Sequence, residues 1–324
     1  MKVIVIGLGS MGKRRIRLIR QYDGAIGICG VDTSVERREQ TEKEYGIETL
    51  DSIERVREEE YDCAFICTSP LSHSGLIHAC LSLNMHVFTE INLVADGYDE
   101  NMKLAAERGK ALFLSSTFLY REEMGYIDRM VRKSSSPVSY LYHVGQYLPD
   151  WHPWENYKNY FVGDRRTNGC RELFAIELPW LLHTFGNVQR IHVVKGKATG
   201  LQIDYPDSYL VTLEHENGVR GSLAVDVVSR KAVRNLEVFS EDMYLAWNGT
   251  PESLRYYDYG SKAEVTVNLY DRVEHREGYD RFIIENSYLH EIEAFFAQVK
   301  DGAVPVYGFE KDKETLALID RIEE

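Results

Sequence analysis

The residues best placed to do chemistry lie within the first 32. Gly7-Leu8-Gly9-Ser10-Met11-Gly12 follows an apolar run, Val3-Ile4-Val5-Ile6, and Asp32 closes a second apolar run 20 positions beyond Gly12. That spacing serves the holding of a dinucleotide. Gly7 permits a tight turn, Gly9 lets the backbone approach a pyrophosphate, and Gly12 lets helix and strand pack closely. The helix that opens there, with Ser10 and Met11 in its first turn, offers unpaired N–H groups and a partial positive charge to the phosphates. Asp32 would accept from both adenosine ribose hydroxyls and repel a 2′-phosphate, so the pattern predicts NAD ahead of NADP. A glycine-rich turn that binds nothing is the plain alternative, and the acidic residue at the right distance weighs against it.

The elements that must position these groups read as two domains. At 324 residues the chain exceeds the size at which one core stops growing, and 44% hydrophobic content is ample for two. Apolar strand-like runs alternate with helix-like ones through residue 118. They include the fully apolar Cys63-Ala64-Phe65-Ile66-Cys67, which reads as a central parallel strand. This predicts a doubly wound parallel sheet over 1–118, with helices near 11–21, 35–45, 52–59, 72–83 and 97–108. Residues 119–324 read as an α+β domain with a large, mainly antiparallel open sheet. Its strands fall near 138–147, 190–198, 208–214, 220–228 and 235–239, a helix lies between Gly169 and Phe185, and two helices close the chain.

A net charge of −13 argues against nucleic acid or an anionic membrane as partner, and no apolar stretch approaches a membrane span. The cysteines are embedded in apolar segments; Cys63 and Cys67, about 13 Å apart on one strand, cannot pair. A reducing, cytoplasmic compartment is expected. No His, Cys or carboxylate spacing suggests a metal site.

These residues resemble the Gfo/Idh/MocA family of NAD(P)-dependent oxidoreductases, which act mainly on sugars, inositols and sugar nucleotides. Gly7 to Arg15 is close to the family's opening. Thr68-Ser69-Pro70-Leu71-Ser72-His73 is similar to its T-x-P-x-x-x-H loop along the cofactor, with the histidine one position early. His86-Val87-Phe88-Thr89-Glu90-Ile91-Asn92-Leu93 takes the place of its H-V-x-x-E-K-P-x segment. Tyr120-Arg121 resembles the aromatic–arginine pair that opens the second domain, and Tyr147 to Trp154 a substrate loop. The resemblance implies that Thr68, Ser69, Pro70, His73, Glu90 and Asn92 line the cofactor. Glu90 would contact the nicotinamide ribose or order its loop. The resemblance also implies a homodimer or homotetramer paired through the second domain's sheet.

Two departures concern proton handling. The lysine that the family sets beside the nicotinamide is Ile91. The family's helical acid is matched by Glu172, but the histidine four residues on falls at Ile176, or at Ala175 with a one-residue gap. Hydride transfer from an alcohol needs a group to take the hydroxyl proton, and Glu177, His152 and Tyr120 are the candidate replacements. Glu177 could equally pair with an arginine within the fold, and His152 could be a surface residue wedged between Trp151 and Trp154. The two tryptophans would stack on a sugar face. Arg121 could bind a carboxylate or phosphate bidentately, or form a structural ion pair. Arg165, Arg166 and Arg171 reverse the local charge near Glu172 and would suit an anionic substrate, or pair with the abundant glutamates. Lys13, Arg14 and Arg15 would partly touch cofactor phosphates and mostly line a solvated helix face. The expected function is an NAD-dependent oxidoreductase of a sugar, sugar acid or sugar nucleotide with a non-standard acid/base group. The alternative is a catalytically silent protein that binds NAD(H) and a sugar.

Overall fold

The computed structural model describes residues 1–153, 155–276 and 282–324. The chain divides into two compact units, Met1–Ser116 with Tyr288–Leu316 and Thr117–Ser287 with Ala317–Glu324. The fold class is the one expected: a parallel doubly wound sheet and a larger, mainly antiparallel one.

In the first unit the chain runs β1 (Lys2–Ile6), α1 (Ser10–Tyr22), β2 (Gly27–Val31), α2 (Val35–Tyr45), β3 (Glu48–Leu50), β4 (Cys63–Ile66), α3 (His73–Ser82), β5 (His86–Thr89), α4 (Tyr98–Arg108) and β6 (Leu112–Leu114). The sheet order is β3-β2-β1-β4-β5-β6, all parallel. Val3, Ile4 and Val5 are fully buried, as a strand covered on both faces requires. Phe65, Phe88 and Phe113, on three neighbouring strands, stack with centroids 4.8 and 5.2 Å apart. The helix expected at 52–59 is only a single 3-10 turn, Ile53–Arg55. The Glu58-Glu59-Glu60 run that follows has no buried face to pay for its repulsion.

The second unit opens with α5 (Glu122–Lys133), β7 (Ser139–Gly145) and α6 (Gly169–Phe185). It continues as β8 (Val188–Gly196), β9 (Ser208–His215), β10 (Arg220–Asp226), β11 (Val233–Phe239), β12 (Tyr244–Trp247), β13 (Arg255–Asp258) and β14 (Ala263–Thr266). The order is β14-β13-β12-β11-β7-β10-β9-β8, antiparallel except for β7 with β10. Gly218, at φ +88°, turns the β9–β10 hairpin. Along β9, Tyr209, Val211, Leu213 and His215 point inward and Leu210, Thr212 and Glu214 outward. α6 covers the inner face, where Phe174 meets Tyr209 edge-on at 5.4 Å. The last two helices are α7 (Glu285–Asp301) and α8 (Phe309–Glu323). From α7, Phe295 packs edge-on to Phe65, Phe88 and Phe113 within the first unit. None of the described helices is long and apolar enough to cross a membrane.

Candidate functional site

β1 ends in a turn that only glycine can make. Gly7 sits at φ +92°, and a Cβ there would lie 2.7 Å from the Cys67 carbonyl oxygen. A Cβ on Gly12 would lie 1.9 Å from the Gly7 oxygen, whereas one on Gly9 would meet nothing within 4 Å. The first and third glycines therefore serve close packing, and the second faces open space. Gly9 is also the N-cap of α1 and carries no side-chain cap, so the amides of Ser10 and Met11 open the helix at that space. Such a cradle fits a pyrophosphate.

Asp32 follows β2 and is buried. Its Oδ2 accepts from Leu8 N–H and its Oδ1 from Ser34 N–H, both at 2.8 Å. Each carboxylate oxygen retains a second lone pair, so the group ties the glycine loop to β2 and still fits a ribose diol. The loop after β4 is equally fixed. The Thr68 and Ser72 hydroxyls are 2.7 Å apart, Ser72 Oγ donates to the Ser69 carbonyl, and Pro70 opens a 3-10 turn. His73 is buried, with Nε2 3.0 Å from the Thr68 oxygen and Nδ1 2.6 Å from Asn92 Oδ1. Burial lowers its pKa, keeping the ring neutral.

The basic start of α1 departs from expectation. Arg14 and Arg15 are buried, not a solvated face. Arg14 lies 4.3 Å over the Tyr288 ring. Arg15 grips Glu90 through Nε and Nη2 (2.6 and 3.1 Å) and reaches Glu291 at 2.9 Å, with its plane 4.4 Å over Phe88. Gly12, Arg15, Ile16 and Ile19 fall on one helical stripe, and the stripe is buried. Arg15 thereby fixes Glu90 in the loop after β5. Among the described residues no cluster could hold a metal ion.

In the second unit the candidate residues separate. Arg121 is buried, forked onto Glu123 at 2.6 and 3.2 Å, and donates to the Phe282 and Gly249 carbonyls. Its guanidinium is committed to the fold, which realises the structural alternative. Tyr120 ends a 3-10 turn, half-buried. Glu177 is fully buried and accepts from Tyr142 Oη, Trp180 Nε1 and Arg234 Nε at 2.7, 2.7 and 2.9 Å. Arg171 pairs with Asp320 and Glu323 on α8, while Arg165 and Arg166 are exposed. Trp151 donates from Nε1 to the Gln146 carbonyl; Trp154 lies outside the described residues.

Glu172 is different. Five residues separate it from Glu177, a rotation of about 140° around the helix, so the two carboxyls face different surroundings. One Glu172 oxygen, Oε2, is sealed from solvent without a hydrogen-bond partner, and burial pushes the carboxyl up to about 7. His152, whose pKa burial lowers, lies edge-on to Tyr160 at 4.8 Å, and Tyr160 in turn feels the charge of Glu172. The structure thus brings His152, Tyr160 and Glu172 to one neighbourhood. Tyr160 escaped the sequence reading because a single loop tyrosine carries no spacing signal.

Residues 1–116 match the family model described as "Oxidoreductase family, NAD-binding Rossmann fold". The chain carries the NAD-binding domain of the Gfo/Idh/MocA oxidoreductases. It is 24% identical to a myo-inositol 2-dehydrogenase of Thermotoga maritima, over 98% of this chain and 94% of that protein. Its fold is similar to that of a levoglucosan dehydrogenase solved with NADH and L-sorbose, at TM-score 0.82 and 12% identity over 99% of this chain and 95% of that one. It is also similar to UDP-N-acetylglucosamine 3-dehydrogenase of Acidithiobacillus ferrooxidans, at TM-score 0.75 and 18% identity over 100% and 96%. Against the Gfo/Idh/MocA pattern, two departures turn out to be one. The early histidine, His73, and the asparagine in the proline position, Asn92, are bonded to each other.

Proposed function

We propose that this oxidoreductase interconverts a hydroxyl and a ketone on a sugar, sugar acid or sugar nucleotide, and that Glu172 handles the proton. The observation that carries the reading is the Glu172 carboxyl, sealed on one oxygen and held near pKa 7 at the family's helical acid position. A base is most effective when its pKa lies near the working pH. Bound NAD supplies the hydride acceptor. Gly7, Gly9, Gly12 and Asp32 would hold its phosphates and adenine-side ribose, and the Thr68–His73 loop would lie along it. Glu177, fully buried and held by three donors, is committed to the fold and leaves that task to Glu172. Trp151 and His152 supply ring faces for a sugar, and the exposed Arg165 and Arg166 would serve an anionic substituent. The names of the relatives, a myo-inositol dehydrogenase and a UDP-N-acetylglucosamine dehydrogenase, support the substrate class. Five free cysteines support a reducing, cytoplasmic setting.

The test has two arms. Calorimetry should show NAD binding to the wild type and a loss of at least about tenfold in Asp32→Ala, two charge-assisted hydrogen bonds being removed. A panel of inositols, sugar acids and UDP-sugars should give NADH absorbance with at least one member. Ile91 and Ile176, where the family has its lysine and histidine, favour a second reading, a silent NAD(H)- and sugar-binding protein. NAD binding with no NADH from any panel member would establish that reading instead.

We further propose a dimer or tetramer paired through the outer sheet face. Leu141, Val194 and Leu210 are 48%, 58% and 58% exposed there, and Val194 faces Leu210 across β8 and β9. Leu210→Glu is expected to shift light scattering from the oligomer mass to that of one chain. A monomeric wild type would refute the assignment.

A further inference from the structure

Among the described residues of the second unit, Tyr160 Oη is a buried polar atom without a hydrogen-bond partner, as is Glu172 Oε2. The phenol is not loosely held. Its ring meets His152 and Phe161 edge-on, at 4.8 and 5.8 Å. The 3-10 turn that follows, Phe161–Gly163, is pinned: Tyr205 Oη donates to the Val162 carbonyl at 2.7 Å, and Thr167 Oγ1 donates to that of Phe161. Tyr205 Oη, which also accepts from Gly169 N–H at 3.4 Å, ties that turn to the start of the helix carrying Glu172. An unmet hydroxyl and an unmet carboxyl oxygen on segments so joined are costly unless something completes both. Burial and the neighbouring Glu172 charge raise the phenol's pKa, so at neutral pH it acts as a neutral O–H donor. A phosphate or carboxylate would be repelled by Glu172, and an apolar group would leave both oxygens unpaired. A pair of hydroxyls satisfies donor and acceptor together.

We propose that Tyr160 is a specificity-determining residue that donates to the substrate hydroxyl next to the one engaged by Glu172, so that the two side chains clamp a vicinal diol. This rests on the sugar reading above and narrows it: whatever anionic group the substrate carries lies elsewhere, and an uncharged diol lies here.

The test uses the full chain with NADH bound and titrates myo-inositol, D-glucose and UDP-N-acetylglucosamine into wild type and Tyr160→Phe by calorimetry. The variant should bind whichever probe the wild type takes about tenfold more weakly, with NADH affinity unchanged. Its melting temperature without ligand should be equal or higher, because an unpaired buried hydroxyl has been removed. Equal probe affinity in wild type and Tyr160→Phe would overturn the diol clamp and leave the sugar reading standing. A lowered melting temperature of the free variant would overturn it too, by showing a structural bond. Failure of the wild type to bind any probe would overturn the sugar reading and this inference with it.

Discussion

Arg15→Met is expected to destabilise the first unit by about 3–5 kcal/mol at neutral pH, the usual cost of orphaning a buried charge. Arg15 is fully buried, and its guanidinium neutralises both Glu90 and Glu291, themselves 8% and 0% exposed. Burial already raises the Glu291 pKa, and Arg15 holds that rise in check. Without the cation the Glu291 carboxyl becomes harder still to ionise in the folded state than in the unfolded one. An acid whose folded pKa is raised costs stability as pH climbs above its unfolded value, near 4.3. The deficit should therefore be largest at pH 7 and shrink toward pH 5. Arg15→Lys should recover little, because one ammonium cannot fork onto Glu90, reach Glu291 and stack on Phe88 together. Arg15→Met combined with Glu291→Leu should recover part of the loss. Denaturant midpoints at both pH values check this, and equal midpoints for wild type and Arg15→Met would refute it.

That buried triad also marks where the sequence could be read and where it could not. The glycine spacing, the apolar strands and Asp32 make the first sheet legible because each is a local backbone or burial requirement. Arg15 is expected on a solvated face, although it lies on the Gly12-Ile16-Ile19 stripe that the structure buries. Its partners, however, stand 75 and 276 positions away, and no local pattern points to them. β13 and β14 escape because four-residue strands such as Arg255-Tyr256-Tyr257-Asp258 show no clean alternation of buried and exposed residues, and β12 alternates over only four residues. Glu172 and Glu177 look interchangeable in sequence. They part only once the helix turns one toward Tyr142, Trp180 and Arg234, and the other toward surroundings that leave its Oε2 unbonded.

Glu172→Gln should therefore lower kcat by about 10²–10⁴-fold, the range of a lost general base, with NAD affinity unchanged. Glutamine keeps the size and the hydrogen-bonding oxygen but cannot carry the proton. With the carboxyl near pKa 7, alcohol oxidation by the wild type should rise as pH increases through about 7, where the carboxylate forms. Ketone reduction should fall over the same interval, where the carboxylic acid is lost. Both inflections should vanish in Glu172→Gln. Glu177→Gln behaves differently on this account. It removes the charge facing Arg234 and weakens the anchor for Tyr142 and Trp180, so stability falls while the inflection near 7 persists in whatever activity remains. Steady-state rates in both directions, from pH 5.5 to 9, distinguish the two carboxyls. If the inflection followed Glu177, or survived intact in Glu172→Gln, the proton would have to pass through another group.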